Sequence, residues 1–575
     1  MISRRTIFFL TAVWFAAPAQ GQVASEIALP ASVLQKILMQ TALTHCADMA
    51  SLHSTSMEET LTDLYVRRDY APLWQEDAAR LPSLQNELRQ LSDDGLWLVD
   101  YEYALQATQM PDMCQELRLS SYYLMALEHL SRGRLPQQLR EPQWQADAQA
   151  REALIEDASA ELVELALAGD TSITNAFSQA RPSLNLYRDL RQSYARLDKH
   201  AQPPMSIATG LTIRAGAQDA RLTQIFQRLL VDGYLPAGSR LPTNYDTALQ
   251  QAVRRFQSDH GLEPDGIVGT RTLAALNMTP AQRLLHVRIN LERLRWISAQ
   301  RNDYLLLVNI AGASVRLYRG EEIIWESRVQ TGRPSRPTPT LVSSIDRITL
   351  NPSWTMPPTI VKEDALPQIR SNPNYLQEKN LQVLDLQGRP VDPTQLDWSN
   401  PTGVMLRQPP GPTNPLGQVV FRLDNPFAIF LHDTPSQDQF AKSSRSVSSG
   451  CVRVENAAQL ADLLLTSASP EQRALLLSLQ ESDETREVRV PGGPQLIIGY
   501  WTAEAGADGR TVLVQDPYDL DQALMNTFAR IERPSATTQR AELSNAQLIG
   551  DENATQAYLH SDLNSISNAQ TCSSL

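Results

Sequence analysis

The sequence predicts an α+β chain of several domains: a helical N-terminal scaffold, a compact three-helix unit and a mainly β unit interrupted by an insertion. Three observations carry this expectation. At 575 residues the chain is longer than one hydrophobic core usually organises. Apolar residues recur at helical spacing up to about residue 297 and at strand spacing from residue 304. Proline-rich and Asp-Gly stretches separate the pieces. Hydrophobic residues make up 42%, enough for packed cores. The net charge of −13 argues against nucleic acid as a partner, because phosphate binding needs basic surface.

Residues 1–21 have the layout of a secretory signal. Arg4 and Arg5 precede a short apolar stretch from Ile7 to Ala17, and Ala17-Pro18-Ala19 offers small residues for cleavage. An uncleaved anchor and twin-arginine export are the alternatives. Residues 28–220 are expected to form the helical scaffold, with helices over 32–49, 61–70, 120–132 and 153–168. In the third of these, Leu124, Leu127 and Leu130 lie on one face.

The unit from 221 to 278 opens with a helix carrying Leu222, Ile225, Phe226 and Leu229. A second helix starts after Asp246, a good N-cap, and carries Leu249, Ala252, Val253 and Phe256. Tight turns follow from Gly261 to Gly269, and Thr270 is expected to cap a last short helix holding Leu273 and Leu276. A further helix over 280–297 has Leu284, Val287, Leu291 and Leu294 as its apolar stripe, with Arg288, Arg293 and Arg295 on other faces.

Strands are expected over 304–310, 314–318 and 322–330, the last two joined by an Arg319-Gly320 hairpin turn. They resume over 345–350, near Phe421, over 428–431 and over 451–454, with a helix behind at 455–465. The β unit spans 280–503, and residues 504–532 add a strand and a helix. The insertion over 355–406 shows little core-like periodicity, which suits a mobile lid over a cleft. From residue 533 the chain is polar and expected to be disordered.

The chemistry narrows quickly. No His and acidic cluster suits zinc, no metal or cofactor is expected, and there is no G-x-S-x-G elbow. His432 and Cys451 remain, 19 positions apart, a spacing that suits two neighbouring strands joined by a loop. A thiol needs a base to attack at neutral pH, and imidazole is the usual one. Gly450 permits close backbone approach, so the amides of Gly450 and Cys451 are candidate oxyanion donors. Four cysteines in an exported chain invite bridges. Cys46 and Cys114 are a candidate pair, Cys572 lies in the polar tail, and Cys451 is expected to be free, since a permanent bridge would leave His432 without a purpose.

Phe256-Gln257 through Gly261-Leu262, with Asp265-Gly266 through Gly269 and Thr272, resembles the peptidoglycan-binding type 1 module. Ser448-Ser449-Gly450-Cys451-Val452-Arg453, with His432 upstream, resembles the L,D-transpeptidase (YkuD) catalytic domain. Many members of that family have a second histidine where this chain has Ser449, although the long branch with a scaffold and a wall-binding module commonly has serine. Arg288 through Trp296, Asn351-Pro352 with Trp354, Arg407 through Gly411 with Asn414, Leu416 and Gly417, Tyr500 through Ala503, and Tyr70 through Trp74 resemble further words of that branch.

The resemblance implies 3→3 cross-linking of peptidoglycan in the periplasm. Cys451 would be the nucleophile and His432 the base, and D-alanine would be released. Its partners would be stem peptides, with carbapenem-type β-lactams as covalent inhibitors. Arg453 would meet a stem carboxylate, and Ser449, Trp354 and Asn351 would line the cleft. Asp433 is a further site candidate; either its side chain or a backbone carbonyl would orient His432. The insertion would cap the cleft. An L,D-carboxypeptidase, an enzyme that cuts cross-links, and a non-catalytic wall-binding scaffold are the alternatives.

Overall fold

The computed structural model describes residues 55–75, 77–107, 112–136, 139–140, 159–199, 206–299, 302–465, 484–506 and 508–531, with 36, 37, 39, 41 and 42. The expected signal at 1–21, most of the helix at 32–49, the start of that at 153–168, the tail from 533, Cys46 and Cys572 lie outside the described residues. No helix among the described residues is long and apolar enough to cross a membrane.

The scaffold helices Thr55–Arg67, Arg80–Gln90, Met113–Arg132 and Ile173–Ala180 pack around Leu61, Leu84, Leu88, Leu124, Leu127 and Phe177. The helix expected over 61–70 stops at Arg67, because Asp69 and Tyr70 turn left-handed at φ +50° and +64°. Met113–Arg132 starts seven residues earlier than its leucines suggest. Asp112 and Gln115 form a reciprocal capping box at its start. Past the exposed first residues, Glu116, Ser120 and Ser121 are polar yet buried: the Glu116 carboxylate accepts from the amides of Leu73 and Trp74 and from Tyr65 Oη. That buried carboxylate hides the helix from an apolar-periodicity reading.

In the three-helix unit the helices are Leu222–Val231, Thr247–Asp259 and Thr270–Leu276. Asp246 caps the second, its Oδ1 accepting from the Leu249 amide at 2.9 Å. Thr270 does not cap the third; it is the first helical residue, and Gly269 stands at the N-cap. Gln257 joins the two sequence words physically. Its Nε2 donates to Asp265 Oδ1, Ile267 O and Thr272 Oγ1 at 2.9, 3.0 and 3.1 Å, and its Oε1 accepts from Gly266 N at 2.8 Å.

The helix Pro280–Ser298 begins at a Thr279–Gln282 capping box. Arg293 and Arg295 lie off the apolar stripe and are nevertheless buried, each 1% exposed. Arg293 pairs with Asp521 of the helix Leu520–Ile531 at 2.5 Å, and Arg295 pairs with Glu292 at 3.0 Å. Asn290 Oδ1 accepts from the Thr502 amide at 2.6 Å. The helix therefore sits between other elements, and its guanidiniums are buried with carboxylate partners, the condition under which charge tolerates burial.

The β unit contains β1 (Tyr304–Asn309), β2 (Ser314–Arg319), β3 (Glu322–Gly332), β4 (Leu341–Leu350), β5 (Trp354–Thr355), β6 (Gln382–Asp385), β7 (Val404–Gln408), β8 (Val419–Leu423), β9 (Leu431–His432), β10 (Ser446–Ser448), β11 (Val452–Val454), β12 (Arg486–Arg489), β13 (Gln495–Gly499), β14 (Ala503–Ala505) and β15 (Thr511–Leu513). The main sheet runs β3-β11-β9-β8-β4-β13-β1-β2, and β2 pairs back to β3, so it closes on itself. Along β1, Leu306 and Val308 enter one core while Leu305 and Leu307 pack with the helix Pro280–Ser298. A strand buried on both faces reads as a continuous apolar run, as this one does.

The insertion is more ordered than its sequence suggests. Strands β5, β7 and β6 form a small sheet in that order, and Met356, Ala365, Leu366, Ile369, Val383 and Leu406 form a separate core. These apolar positions are shared among very short elements, so no single run shows a period. Within the insertion, Val361–Ala365 forms a π-helical turn.

Candidate active site

β9 and β11 are parallel neighbours, with Leu431 opposite Val452 and His432 opposite Arg453. Residues opposite each other in a parallel pair point the same way, and alternate residues along a strand share a face. His432, Arg453 and Cys451 therefore lie on one face. They line a cleft of about 80 Å³ together with Ser449, Phe430 and Leu416, with Trp354, just before the insertion, and Ile360, within it.

His432 is 5% exposed, and its ring packs edge-on to Phe430. Its Nδ1 lies 2.5 Å from the backbone carbonyl of Asp433. A carbonyl only accepts, so the network assigns the proton to Nδ1 and leaves the Nε2 lone pair to act as a base. Burial, and then the charge of Arg453, hold its pKa down at about 3, so the ring is neutral at pH 7.

The Asp433 side chain does other work. Its Oδ2 accepts from the Gln418 amide at 2.9 Å and its Oδ1 from Gln437 Nε2 at 3.1 Å. It braces the turn at Gly417, where φ is +60° and a Cβ would collide with the carboxylate. It does not line the cleft, and the His432 ring is oriented by the Asp433 backbone carbonyl. Asn351 also falls outside the cleft lining. With φ +46° it turns the chain after β4, donating its amide to Gln418 O and accepting from Thr485 Oγ1.

The Gly450 amide is not aimed at an incoming oxyanion; it donates to Ser448 Oγ at 3.1 Å. The Gly450 carbonyl accepts from Thr338 Oγ1 at 2.7 Å, and Ser448 Oγ donates to Cys451 O at 2.6 Å. These bonds fix a turn with φ +119° at Gly450. The Cys451 amide remains the oxyanion candidate.

Cys451 is 7% exposed and is disulfide-bonded, as is Cys114. No thiol among the described residues is free, so the expectation of a free Cys451 is corrected. The even cysteine count that invites bridges outweighs the argument from the purpose of His432. Arg453 Nη1 donates to Gln330 Oε1 at 3.0 Å, and burial works against its charge.

Sequence reasoning missed Arg336, Thr338 and Tyr518. Tyr518 Oη donates to Gly332 O at 2.7 Å and accepts from the Thr338 amide at 3.0 Å, and the Thr338 hydroxyl holds Gly450. Tyr518 lies far along the chain with no local signal. Arg336 sits in the proline-rich run Pro334–Pro339, where an isolated arginine looks like a solvated loop residue.

Family models match three segments of the chain. Residues 59–193 match a "Scaffold domain", 218–276 a "Putative peptidoglycan binding domain", and 303–488 an "L,D-transpeptidase catalytic domain". A "Putative L,D-transpeptidase" of Haemophilus influenzae is 40% identical over 239 residues, covering 41% of this chain and 48% of that protein. The chain thus spans about half the length of this curated relative. Among solved structures, an L,D-transpeptidase fragment from Xylanimonas cellulosilytica is 15% identical with a TM-score of 0.16, covering 52% of this chain and all of that one. An L,D-transpeptidase from Mycobacterium smegmatis is 16% identical with a TM-score of 0.15, covering 34% and 58%. In chain order, segments of this protein thus match family models of a scaffold domain, a peptidoglycan-binding domain and an L,D-transpeptidase catalytic domain.

Proposed function

We propose that this protein is a periplasmic peptidoglycan L,D-transpeptidase that forms 3→3 cross-links through an acyl-enzyme on reduced Cys451. The observation that carries the reading is the shared face of His432, Cys451 and Arg453 in one cleft, with His432 neutral and its Nε2 lone pair available. Once the disulfide is reduced, the Cys451 thiol gives its proton to His432 Nε2 as Sγ attacks the carbonyl carbon of the third stem residue. The tetrahedral intermediate collapses, the bond to D-alanine breaks, and the departing amine takes the proton from His432. A side-chain amine of a second stem then attacks the thioester. Its proton passes through His432 back to the thiolate, which leaves regenerated. Arg453 would pair with a stem carboxylate.

The disulfide at Cys451 favours a second reading, a wall-binding scaffold in which this sulfur is structural. Mass spectrometry separates the two. Under the leading reading the chain forms a carbapenem adduct after treatment with a thiol reductant, and Cys451→Ala forms none. An adduct that persists in Cys451→Ala, or none in the reduced and folded wild type, would sink the nucleophile assignment. Incubation with tetrapeptide muropeptides should yield dimers joined through two third residues. Tripeptides alone would indicate an L,D-carboxypeptidase, and loss of existing dimers a cross-link-cleaving enzyme.

A further inference from the structure

We propose that Arg336 is a positioning residue: it latches the inserted cap to the loop that bears the nucleophile, and release of the latch admits the stem peptide. The inference rests on the transpeptidase reading for the identity of that substrate.

Arg336 lies in the loop between β3 and β4 and is 4% exposed. One guanidinium holds both sides of the cleft. Its Nη1 donates to Ser449 Oγ at 3.0 Å, two residues before Cys451. The same nitrogen reaches Asp364 Oδ2 at 2.9 Å, and Nη2 bonds Glu363. Both acids belong to the π-helical turn Val361–Ala365 of the cap, an irregularity that often marks a functional position. Ile360, immediately before that turn, lines the cleft.

The two ends of the latch are built differently. The loop of Arg336 is fastened to the nucleophile loop by backbone bonds, Arg333 N to Ser448 O at 3.0 Å, and by Thr338 Oγ1 to Gly450 O at 2.7 Å. Gly332 permits this fold, because a Cβ there would collide with Arg336 O. On the cap side the junction rests on the side chains of Glu363 and Asp364, which are 48% and 44% exposed, with Arg333 also 4.0 Å from Asp364. Ion pairs with exposed partners are weak and screened by salt. The junction therefore parts at the carboxylates, leaving Arg336 on Ser449. This gives Ser449, the departure from the commoner histidine of the family word, a positive role as the anchor of the latch.

The cleft holds about 80 Å³, whereas pockets for drug-sized ligands measure about 300 Å³ or more, so parting of the cap from the nucleophile loop would widen it for a stem peptide.

The test compares the wild-type chain with Glu363→Gln/Asp364→Asn, Arg336→Gln and Arg336→Lys. Hydrogen exchange of cap amides over 358–371 is read at low and high salt, with thermal unfolding as the control for folding. At low salt, exchange should be about tenfold faster in the double acid variant and in Arg336→Gln, with Arg336→Lys intermediate. Raising salt to about 0.5 M should bring the wild type close to the double variant and leave that variant unchanged. On reduced protein, the ratio of acylation rates for a tetrapeptide muropeptide over a compact carbapenem should rise in the latch variants. Unchanged low-salt exchange in the folded double variant, or salt-insensitive exchange in the wild type, would overturn the latch. If no muropeptide acylates the wild type, the transpeptidase reading fails, while the exchange data still decide the latch.

Discussion

Acylation of the reduced enzyme should keep its rate far into acid, because His432 stays neutral there. With an unperturbed pKa of 6.5, an imidazole at pH 5 would be only about 3% neutral. Held at about 3 by burial and by the Arg453 charge, His432 is neutral in about 99% of molecules at that pH. The two cases differ roughly thirtyfold in available base at pH 5. The assay is the second-order rate of carbapenem adduct formation on the reduced chain, followed by mass spectrometry between pH 4 and 8. Stability sets the lower bound of that range. A histidine whose folded value is depressed binds more protons unfolded, so its contribution is complete above about 6.5 and is lost as pH falls toward about 3. Circular dichroism at each pH confirms that the protein measured is folded. The expected profile is flat from pH 7 to about 4. An acid limb near 6.5 in folded protein would refute the neutral-base argument and point to a thiolate–imidazolium pair. Arg453→Gln removes the neighbouring positive charge and should move any acid limb upward, by up to about one unit.

Two further outcomes follow from the packing. Asp433→Ala should leave carbapenem acylation within about threefold of wild type, because the His432 partner is a main-chain carbonyl, while the melting transition falls by the equivalent of about 1 kcal/mol as the Gln418 amide loses its acceptor. A larger loss of acylation at unchanged melting would return the orienting role to the side chain. Gln257→Ala should destabilise the peptidoglycan-binding type 1 domain by about 2–4 kcal/mol, since Gly266 N–H, Asp265 and Thr272 lose a common partner. Calorimetry should show that domain melting earlier, and an unchanged trace would mean the four-bond hub is not needed.

Several features are legible in the residues alone. Asp246 begins a helix because its carboxylate meets an exposed amide, a local rule. Gln257 and the Asp265-Gly266 turn recur as a pair of words because one side chain satisfies the other segment's backbone. The first half of Met113–Arg132 and the burial of Arg293 and Arg295 are not legible in that way, because both depend on polar partners held at a distance or buried by packing.

The sequence by itself determined the order of the domains, the change from helical to strand periodicity near residue 300, and the pairing of His432 with Cys451 as the candidate chemistry. Each of these depends on residue type and local spacing. Tertiary structure decided which acceptor sets the imidazole tautomer, that the Gly450 amide is already bonded, that Cys451 is oxidised, and that Asn351 and Asp433 brace turns. It also brought Arg336 to Ser449 across 113 positions of chain and Tyr518 to Gly332 across 186. Such contacts join groups that folding alone brings within reach, and the geometry of a hydrogen bond, which decides whether a group is available for chemistry, is not written in spacing along the chain.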